Sequence, residues 1–105
     1  MNKYHNTRVG KYASKKEAKR AAELRLMENA GLIHDLKEQV KWQLIPPQKL
    51  ANGKTERGCA YIADFDYRSA GGDLVVEDVK GIKTDVFIIK RKLMLLFHGI
   101  EILET

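Results

Sequence analysis

Hydrophobic and polar positions follow several distinct patterns along the chain, and the first pattern predicts a helix. Good helix formers follow Ser14, and Ala30-Gly31 ends the run. Ser14 and Glu17 fit a capping box, in which serine and glutamate bond each other's free backbone N–H groups. The pattern therefore predicts a helix over residues 14–29, with Glu17 towards its buried side.

Three later segments have the patterns of β-strands. In the first segment Val40, Trp42 and Leu44 alternate with polar residues, so they share one face. The second and third segments are short apolar runs that end in charged residues. The predicted strands are residues 39–45, 59–65 and 74–80, with turns at Asn52-Gly53 and at Gly71-Gly72-Asp73. The pair His34-Asp35, ahead of the first strand, is interpreted as a surface turn.

A second helix and a last strand complete the chain. Thr84-Asp85 predicts a helix start and Gly99 a helix end. Five apolar residues recur between them at helical spacing and give this helix a strongly apolar face, namely Val86, Ile89, Leu93, Leu96 and Phe97. Residues 100–104 are predicted to form a short strand.

This order of elements predicts an α/β fold with an αβββαβ core. The first three strands can form a meander, and the last strand returns through the second helix, which places it parallel to the third strand. The core is then a mixed four-stranded sheet flanked by two helices. A length of 105 residues suits a single domain, residues 1–105, in which residues 1–12 form a loose basic arm.

Basic residues are concentrated at the start of the chain. The net charge is +5, and seven of the 19 lysines and arginines lie within residues 1–20, where Glu17 is the single acid. Such a cluster favours contact with a polyanion, and nucleic acid is the first candidate. An anionic membrane surface is less suited, because this segment has no strong apolar face to insert. A tail that merely aids solubility remains an alternative.

The remaining composition predicts a protein of the reducing cytoplasm. The single cysteine, Cys59, lies among apolar strand residues and cannot form an intramolecular disulfide. The N-terminus lacks the apolar core of a signal peptide. The longest apolar run, residues 93–97, is far too short to span a bilayer, so no membrane partner is expected.

The third predicted strand carries the residues that are candidates for catalysis and metal binding. Its apolar run is followed at once by Glu77-Asp78-Val79-Lys80, and alternation places Asp78 and Lys80 on one face and Glu77 on the other. The second strand ends its own apolar run at Asp64. If these strands pair, the two aspartates meet, and a divalent cation would relieve their repulsion. Phosphodiester hydrolysis uses such a set, in which carboxylates hold magnesium and a cation supports the developing charge.

These residues resemble the PD-(D/E)XK nuclease superfamily, whose core has the same αβββαβ order. The resemblance lies in Asp64, in Asp78-x-Lys80 on the next strand and in the helical Glu17. The chain is more closely similar to a group of small phage-encoded nucleases catalogued as a domain of unknown function. The matching segments are residues 14–18, 61–65 and 76–81, with Thr84 following, and the resemblance covers roughly residues 9–104.

The resemblance implies roles for particular residues. Asp64 and Asp78 would be ligands of Mg²⁺, for which Mn²⁺ can substitute, Glu17 would complete the metal site, and Lys80 would be the catalytic lysine. Ala63 stands where the superfamily often has proline, a common departure. Six lysines are the predicted DNA contacts, with Lys90 also the candidate basic residue from the second helix: Lys15, Lys16, Lys19, Lys83, Lys90 and Lys92.

Each of these residues also has an interpretation in which its role is purely structural. Asp78 and Lys80 could form an ion pair, Asp64 could end its strand, and Glu17 could cap its helix. Whether Lys80 acts as a base or as an electrostatic stabiliser is open. Trp42 and Tyr61 are predicted core residues.

The resulting hypothesis is a metal-dependent DNA endonuclease, in the host cytoplasm if it is phage-encoded. Analogy suggests a substrate such as branched DNA, including the Holliday junction, or replicating DNA. Cutting both strands of a duplex usually takes two sites, which favours a homodimer. The alternatives are a non-catalytic DNA-binding accessory protein and a partner-binding module of a phage assembly.

Overall fold

The computed structural model describes residue 10 and residues 12–105 and has the expected α/β architecture. The elements are α1 (Lys15–Asn29), β1 (His34–Ile45), β2 (Gln48–Lys49), β3 (Thr55–Glu56), β4 (Cys59–Arg68), β5 (Leu74–Asp78), α2 (Asp85–His98) and β6 (Leu103–Glu104). The main sheet has the order β1-β4-β5-β6, in which β6 alone runs parallel to its neighbour. The predicted αβββαβ core is therefore confirmed, with the β2–β3 hairpin inserted between its first two strands.

Both helices begin and end where the sequence predicts. Glu17 N donates to Ser14 Oγ at 3.1 Å, and Phe87 N donates to Thr84 Oγ1 at 3.1 Å, so each serine or threonine side chain satisfies one free N–H. Gly99 ends α2 with φ 66°, a left-handed conformation that glycine adopts without strain. Within the part of the chain that the structure describes, neither helix is long and apolar enough to cross a membrane.

The strand bounds differ from the predicted ones. β1 begins at His34, which pairs with Arg68, so the interpretation of His34-Asp35 as a surface turn is wrong. Asp35 and Gln39 have positive φ angles, of 56° and 55°, which are uncommon for residues within a strand.

The third and last strands are shorter than predicted. β5 ends at Asp78 instead of Lys80, and β6 spans two residues instead of 100–104. Their pairing nevertheless continues, because Lys80 N donates to Thr105 O at 2.9 Å.

The chain packs closely against itself where the β2–β3 hairpin joins the sheet, between Gly58 and Ile45. A Cβ atom at Gly58 would lie 2.6 Å from the carbonyl oxygen of Ile45, so only glycine fits there. The predicted Asn52-Gly53 turn forms the hairpin's tip, where Gly53 has φ 85°.

The sheet packs a hydrophobic cluster against each helix. The cluster with α1 contains Ala21, Leu24, Ile33, Phe65 and Tyr67, and the cluster with α2 contains Leu44, Tyr61, Ala63, Val76, Phe87, Met94 and Ile102. The interpretation of Tyr61 as a core residue is confirmed, and Trp42 packs at the edge of the α2 cluster.

The predicted N-terminal arm lies mostly outside the described residues. Its last residue, Tyr12, packs against the α1 cluster and donates a hydrogen bond to Glu38 Oε1 at 2.7 Å. Arg25 also contacts the Tyr12 hydroxyl. The arm therefore meets the domain at Tyr12, and residue 12 is not loose.

A buried ion pair fixes α1 against β5. Glu77 is fully buried, and Arg20 Nε donates to its Oε2 at 2.6 Å. The hydroxyls of Tyr67 and Thr105 donate to the same carboxylate at 2.7 and 3.0 Å. Burial alone raises the pKa of Glu77, but the hydrogen bonds from Arg20 and Tyr67 outweigh it, so the pKa falls below its ordinary value.

Replacing Glu77 with glutamine should lower the free energy of unfolding at pH 7 by about 2–4 kcal/mol, because Arg20 then loses its buried anionic partner. Urea denaturation measures the change. Glu23→Gln is the matched control, since it removes the exposed carboxylate that Arg20 also contacts, at 3.1 Å, and should cost at most about 1 kcal/mol.

The difference between wild type and Glu77→Gln should shrink in acid. A pKa that is lower in the folded than in the unfolded state stabilises the fold above the unfolded value, and this contribution is lost as pH falls through the folded value. Equal losses for Glu77→Gln and Glu23→Gln would contradict the anchoring role of Glu77.

Candidate functional site

One cleft brings together all four residues predicted to carry the chemistry. Glu17 comes from α1, Asp64 from β4 and Asp78 from the end of β5, with Lys80 two residues later. The cleft has a volume of about 420 Å³. Three separate segments of the chain therefore converge, and the two aspartates meet as the strand pairing assumed from the sequence requires.

Asp64 reaches the cleft because β4 and β5 separate beside it. The two strands pair from Arg68 and Leu74 to Phe65 and Glu77, and the ladder ends there. Val79 lies two residues beyond the last β4–β5 pair, and its N–H donates to Asp64 Oδ2 at 2.8 Å. The carboxylate thus occupies the fork between the strands and satisfies a backbone donor that would otherwise lack a strand partner.

The sheet faces also exchange at Asp64. Ala63 packs in the α2 cluster, whereas Phe65, two residues later, packs in the α1 cluster. Opposite them β1 bends at Gln39, whose φ is 55°, and the ladder passes from the Val40–Ala63 pair to the Glu38–Phe65 pair. Positive φ in a non-glycine strand residue is strained and often occurs at functional sites.

Glu17 combines the two roles that the sequence left open. Ala13 N donates to its Oε2 at 3.1 Å, so the side chain reaches back past the N-cap, although the capping box would use the N–H of Ser14. Gln39 Nε2 donates to its Oε1 at 3.1 Å, and the carboxylate also interacts with Asp64. Glu17 is only 6% exposed, so these contacts hold it at the cleft.

Lys80 lies between an acid and an aromatic ring. Its Nζ is 2.9 Å from Asp78 Oδ2 and 4.1 Å from the centroid of the Phe87 ring. Both neighbours suit a charged ammonium group. The geometry therefore directs a positive charge into the cleft next to two carboxylates.

Asp64 and Asp78 both have raised pKa values. Burial and the neighbouring Asp64 raise the pKa of Asp78 to about 6, although Lys80 opposes the rise. Burial also raises the pKa of Asp64, with Glu17 adding to the effect, while hydrogen bonds from Asp78 and Val79 reduce it. The cleft concentrates more negative charge than Lys80 neutralises, and a bound cation would relieve this excess.

Tyr61 is a cleft residue whose proximity to the acids the sequence did not indicate. Its side chain is 3% exposed, and its hydroxyl makes no hydrogen bond of good geometry to any described residue. Burial and the nearby Asp78 raise its pKa. Alternation correctly predicted a buried tyrosine, but nothing in the local pattern indicated that its hydroxyl lies near Asp78.

The chemistry of the donors suits a magnesium ion shared with a substrate. Within residues 10 and 12–105, no three His, Cys, Asp or Glu side chains are grouped closely enough to enclose a metal. Magnesium does not require such a cage, because it commonly takes one or two carboxylates and completes its shell with waters and phosphate oxygens. Asp64 and Asp78 supply these carboxylates, and Lys80 Nζ lies 2.9 Å from the buried Asp78 Oδ2 as its ion-pair partner.

The sequence of the chain matches one family over nearly its whole length. A family model described as "Protein of unknown function (DUF1064)" matches residues 1–100. The chain belongs to the DUF1064 family. The matched range includes the acids and the lysine of the cleft, so the site lies within the DUF1064 domain. The chain matches no curated protein and no solved structure.

The six lysines predicted to contact DNA lie at several places on the DUF1064 domain. Lys90 lines the cleft, and Lys16 and Lys19 line a groove beside Val79. Lys16 Nζ donates to the carbonyl oxygen of Lys80 at 2.6 Å.

The other three are farther from the acids or differently engaged. Lys83 Nζ is 2.9 Å from Glu104 Oε1. Lys15 and Lys92 are exposed and line neither the cleft nor the groove. The three basic residues of the predicted arm, Lys3, Arg8 and Lys11, lie outside the described residues.

Another buried acid of the DUF1064 domain lies in a separate cleft. Asp66 is 5% exposed, and Trp42 Nε1 donates to its Oδ2 at 3.1 Å. This cleft, of about 370 Å³, has exposed Lys37 and Lys41 on its walls but no second buried carboxylate. It therefore lacks the paired acids that make the first cleft a candidate for metal-assisted chemistry.

Replacing Asp78 with asparagine should stabilise the domain at pH 7.5 in buffer with EDTA. Its pKa of about 6 lies above the value in the unfolded chain, so ionised Asp78 opposes folding above that pH. We expect a gain of about 1–2 kcal/mol, seen as a rise in Tm of several degrees.

The gain should disappear as pH falls towards 4, where Asp78 is protonated in the folded state. Thermal denaturation across this range measures it. Asp73→Asn, at an exposed turn position, is the control and should leave Tm nearly unchanged. A lower Tm for Asp78→Asn at pH 7.5 would contradict the interpretation that the cleft carries excess negative charge.

Proposed function

We propose that this DUF1064 protein is a metal-dependent endonuclease that hydrolyses phosphodiester bonds of DNA. The observation that carries the proposal is the convergence of Glu17, Asp64, Asp78 and Lys80 on one cleft. The resemblance of the same residues to the PD-(D/E)XK motif supports it independently of the geometry.

A second argument is that this arrangement of acids lowers the stability of the fold. Asp64 and Asp78 lie at the same cleft and both have raised pKa values, so their ionised forms oppose folding. Perturbed acids next to an unpartnered buried hydroxyl are typical of sites that bind a ligand. A structural ion pair between Asp78 and Lys80 alone would not require Asp64 and Glu17.

Asp64 and Asp78 would hold Mg²⁺ or Mn²⁺, and Glu17 would bind one of its waters or complete its ligands. When bound, the metal would supply Lewis-acid polarisation of the phosphate and a more acidic water. Lys80 would place its ammonium group against the phosphate as negative charge develops there. The position of Lys80 against Asp78 and Phe87 favours this electrostatic role over that of a base.

Substrate contact is assigned to the lysines nearest the cleft. Lys16 and Lys19 border the segment that carries Lys80, and Lys90 lines the cleft itself. Their ammonium groups would bind backbone phosphates without reading sequence. The net charge of +5 adds a general attraction for DNA that salt weakens.

Cleavage assays test the proposal directly. Purified protein is incubated with supercoiled plasmid and with a four-way DNA junction, in Mg²⁺, Mn²⁺ or EDTA. We expect cleavage with either metal and none in EDTA, and a loss of at least about 100-fold in rate for Asp78→Ala and for Lys80→Ala. A faster reaction on the junction would indicate branched DNA as the substrate.

Asp73→Ala and Lys54→Ala are the matched controls, since both positions are exposed and outside the cleft. They should cleave as wild type does. Absence of cleavage on both substrates with either metal would overturn the nuclease proposal for them. Metal-independent DNA binding in that case would support the non-catalytic accessory protein.

Metal binding can be tested without any substrate. Mg²⁺ at millimolar concentration should raise the Tm of wild type, because a ligand that binds only the folded state stabilises it. The rise should be absent in the double variant Asp64→Asn/Asp78→Asn and retained in Asp66→Asn, which removes a buried acid outside the cleft. An equal rise in all three proteins would assign the effect to ions bound elsewhere.

A further inference from the structure

Helix α2 exposes an apolar surface that the domain itself does not cover. Its buried face consists of Phe87 and Met94. A stripe beside this face contains Val86, Ile89, Leu93, Leu96 and Phe97. Leu93 is half-buried against the α2 cluster, whereas Val86, Ile89, Leu96 and Phe97 are 61%, 57%, 72% and 53% exposed. Ile82, just before the helix, is 85% exposed. Contiguous exposed apolar surface on this scale marks an interaction site.

The spacing of the stripe fits another helix. The stripe runs in the order Val86, Ile89, Leu93, Leu96. Successive members are three, four and three residues apart, which is the spacing of a coiled coil. Val86 and Leu93 then occupy the a positions, and Ile89 and Leu96 the d positions. This pattern favours a partner that presents the same helical seam.

The area of the stripe is sufficient for a dimer. With side-chain areas of about 150–200 Å², the exposed fractions of Ile82 and of the four exposed stripe residues together leave about 500–650 Å² of apolar surface on each chain. Two such surfaces give about 1,000–1,300 Å², a span that reaches the lower end of stable interfaces. The polar residues along the seam would add to this area.

The charges beside the seam select the orientation. Asp85 lies at a g position and Lys90 at the following e position, so a parallel pair places Asp85 near Lys90 of the partner subunit, twice by symmetry. An antiparallel pair centred on the stripe would instead place Lys90 near Lys90 of the partner subunit. Complementary charge therefore favours the parallel arrangement.

We propose that the stripe is the interface of a homodimer in which the two α2 helices pack in parallel around a twofold axis. Val86 and Lys90 also line the acidic cleft. The two clefts would then lie at the same end of the paired helices and face one nucleic acid together. This consequence rests on the proposed nuclease function, but the interface does not, and it is tested without a cleavage assay.

Leu96→Lys is the main test, and Leu95→Lys is its matched control. Leu95 is 57% exposed on the same helix but lies well away from the stripe, so both changes place a lysine at an exposed leucine. Size-exclusion chromatography with light scattering at micromolar concentration should show a dimer for wild type and for Leu95→Lys and a monomer for Leu96→Lys. Circular dichroism should show all three folded. A monomeric wild type, or equal effects of the two variants, would overturn the interface.

A cysteine at position 86 tests the orientation. In a Cys59→Ala background, Val86→Cys should form an intermolecular disulfide on mild oxidation, because equivalent a positions face each other in a parallel pair. Leu95→Cys in the same background is the control and should not cross-link. A dimer whose Val86→Cys variant fails to cross-link would overturn the parallel arrangement. Since neither readout involves DNA, failure of the dimer and failure of the nuclease are distinguishable.

Discussion

The separation of β4 from β5 is the constraint on which the cleft depends. The strands pair as far as Phe65 and Glu77, after which β5 continues with β6 on its other edge, where Thr105 N donates to Asp78 O at 3.0 Å. Asp64 enters the fork and accepts the N–H of Val79. If the two strands stayed paired, the register would still place Asp64 opposite Asp78, but a backbone carbonyl would take the N–H of Val79 and the fork that opens the cleft would be closed.

Local sequence patterns predicted most of the architecture because the physics that determines it is local. The caps at Ser14 and Thr84, the glycine that ends α2 and the parallel return of β6 follow from side-chain hydrogen bonds, backbone freedom and connection handedness. The convergence of Asp64, Asp78 and Lys80 also followed, since adjacent strands with acids at corresponding ends bring those acids together.

Other features depend on contacts that no local pattern encodes. Gln39 has a positive φ, which its residue type rarely adopts, and its side chain donates to Glu17, 22 residues away. The position of the Tyr61 hydroxyl near Asp78 likewise depends on the packing of distant segments. The burial of Glu77 was hidden too, because a charged residue near a strand end predicts exposure, and its partner Arg20 is 57 residues away.

Glu77 and Asp78 are adjacent residues whose carboxyl groups have pKa values shifted in opposite directions. Glu77 has a structural role, whereas Asp78 belongs to the candidate site. Glu77 faces α1, where one guanidinium and two hydroxyls lower its pKa and make it an anchor. Asp78 faces the cleft, where burial and Asp64 raise its pKa and leave it in need of a cation. Because Glu77 and Asp78 are neighbours on one short strand, the contacts that fix Glu77 also fix the position of Asp78. The ion pair with α1, the helix that also carries Glu17, thus offsets the destabilisation that the acidic cleft imposes, and it holds the groups of the cleft in register.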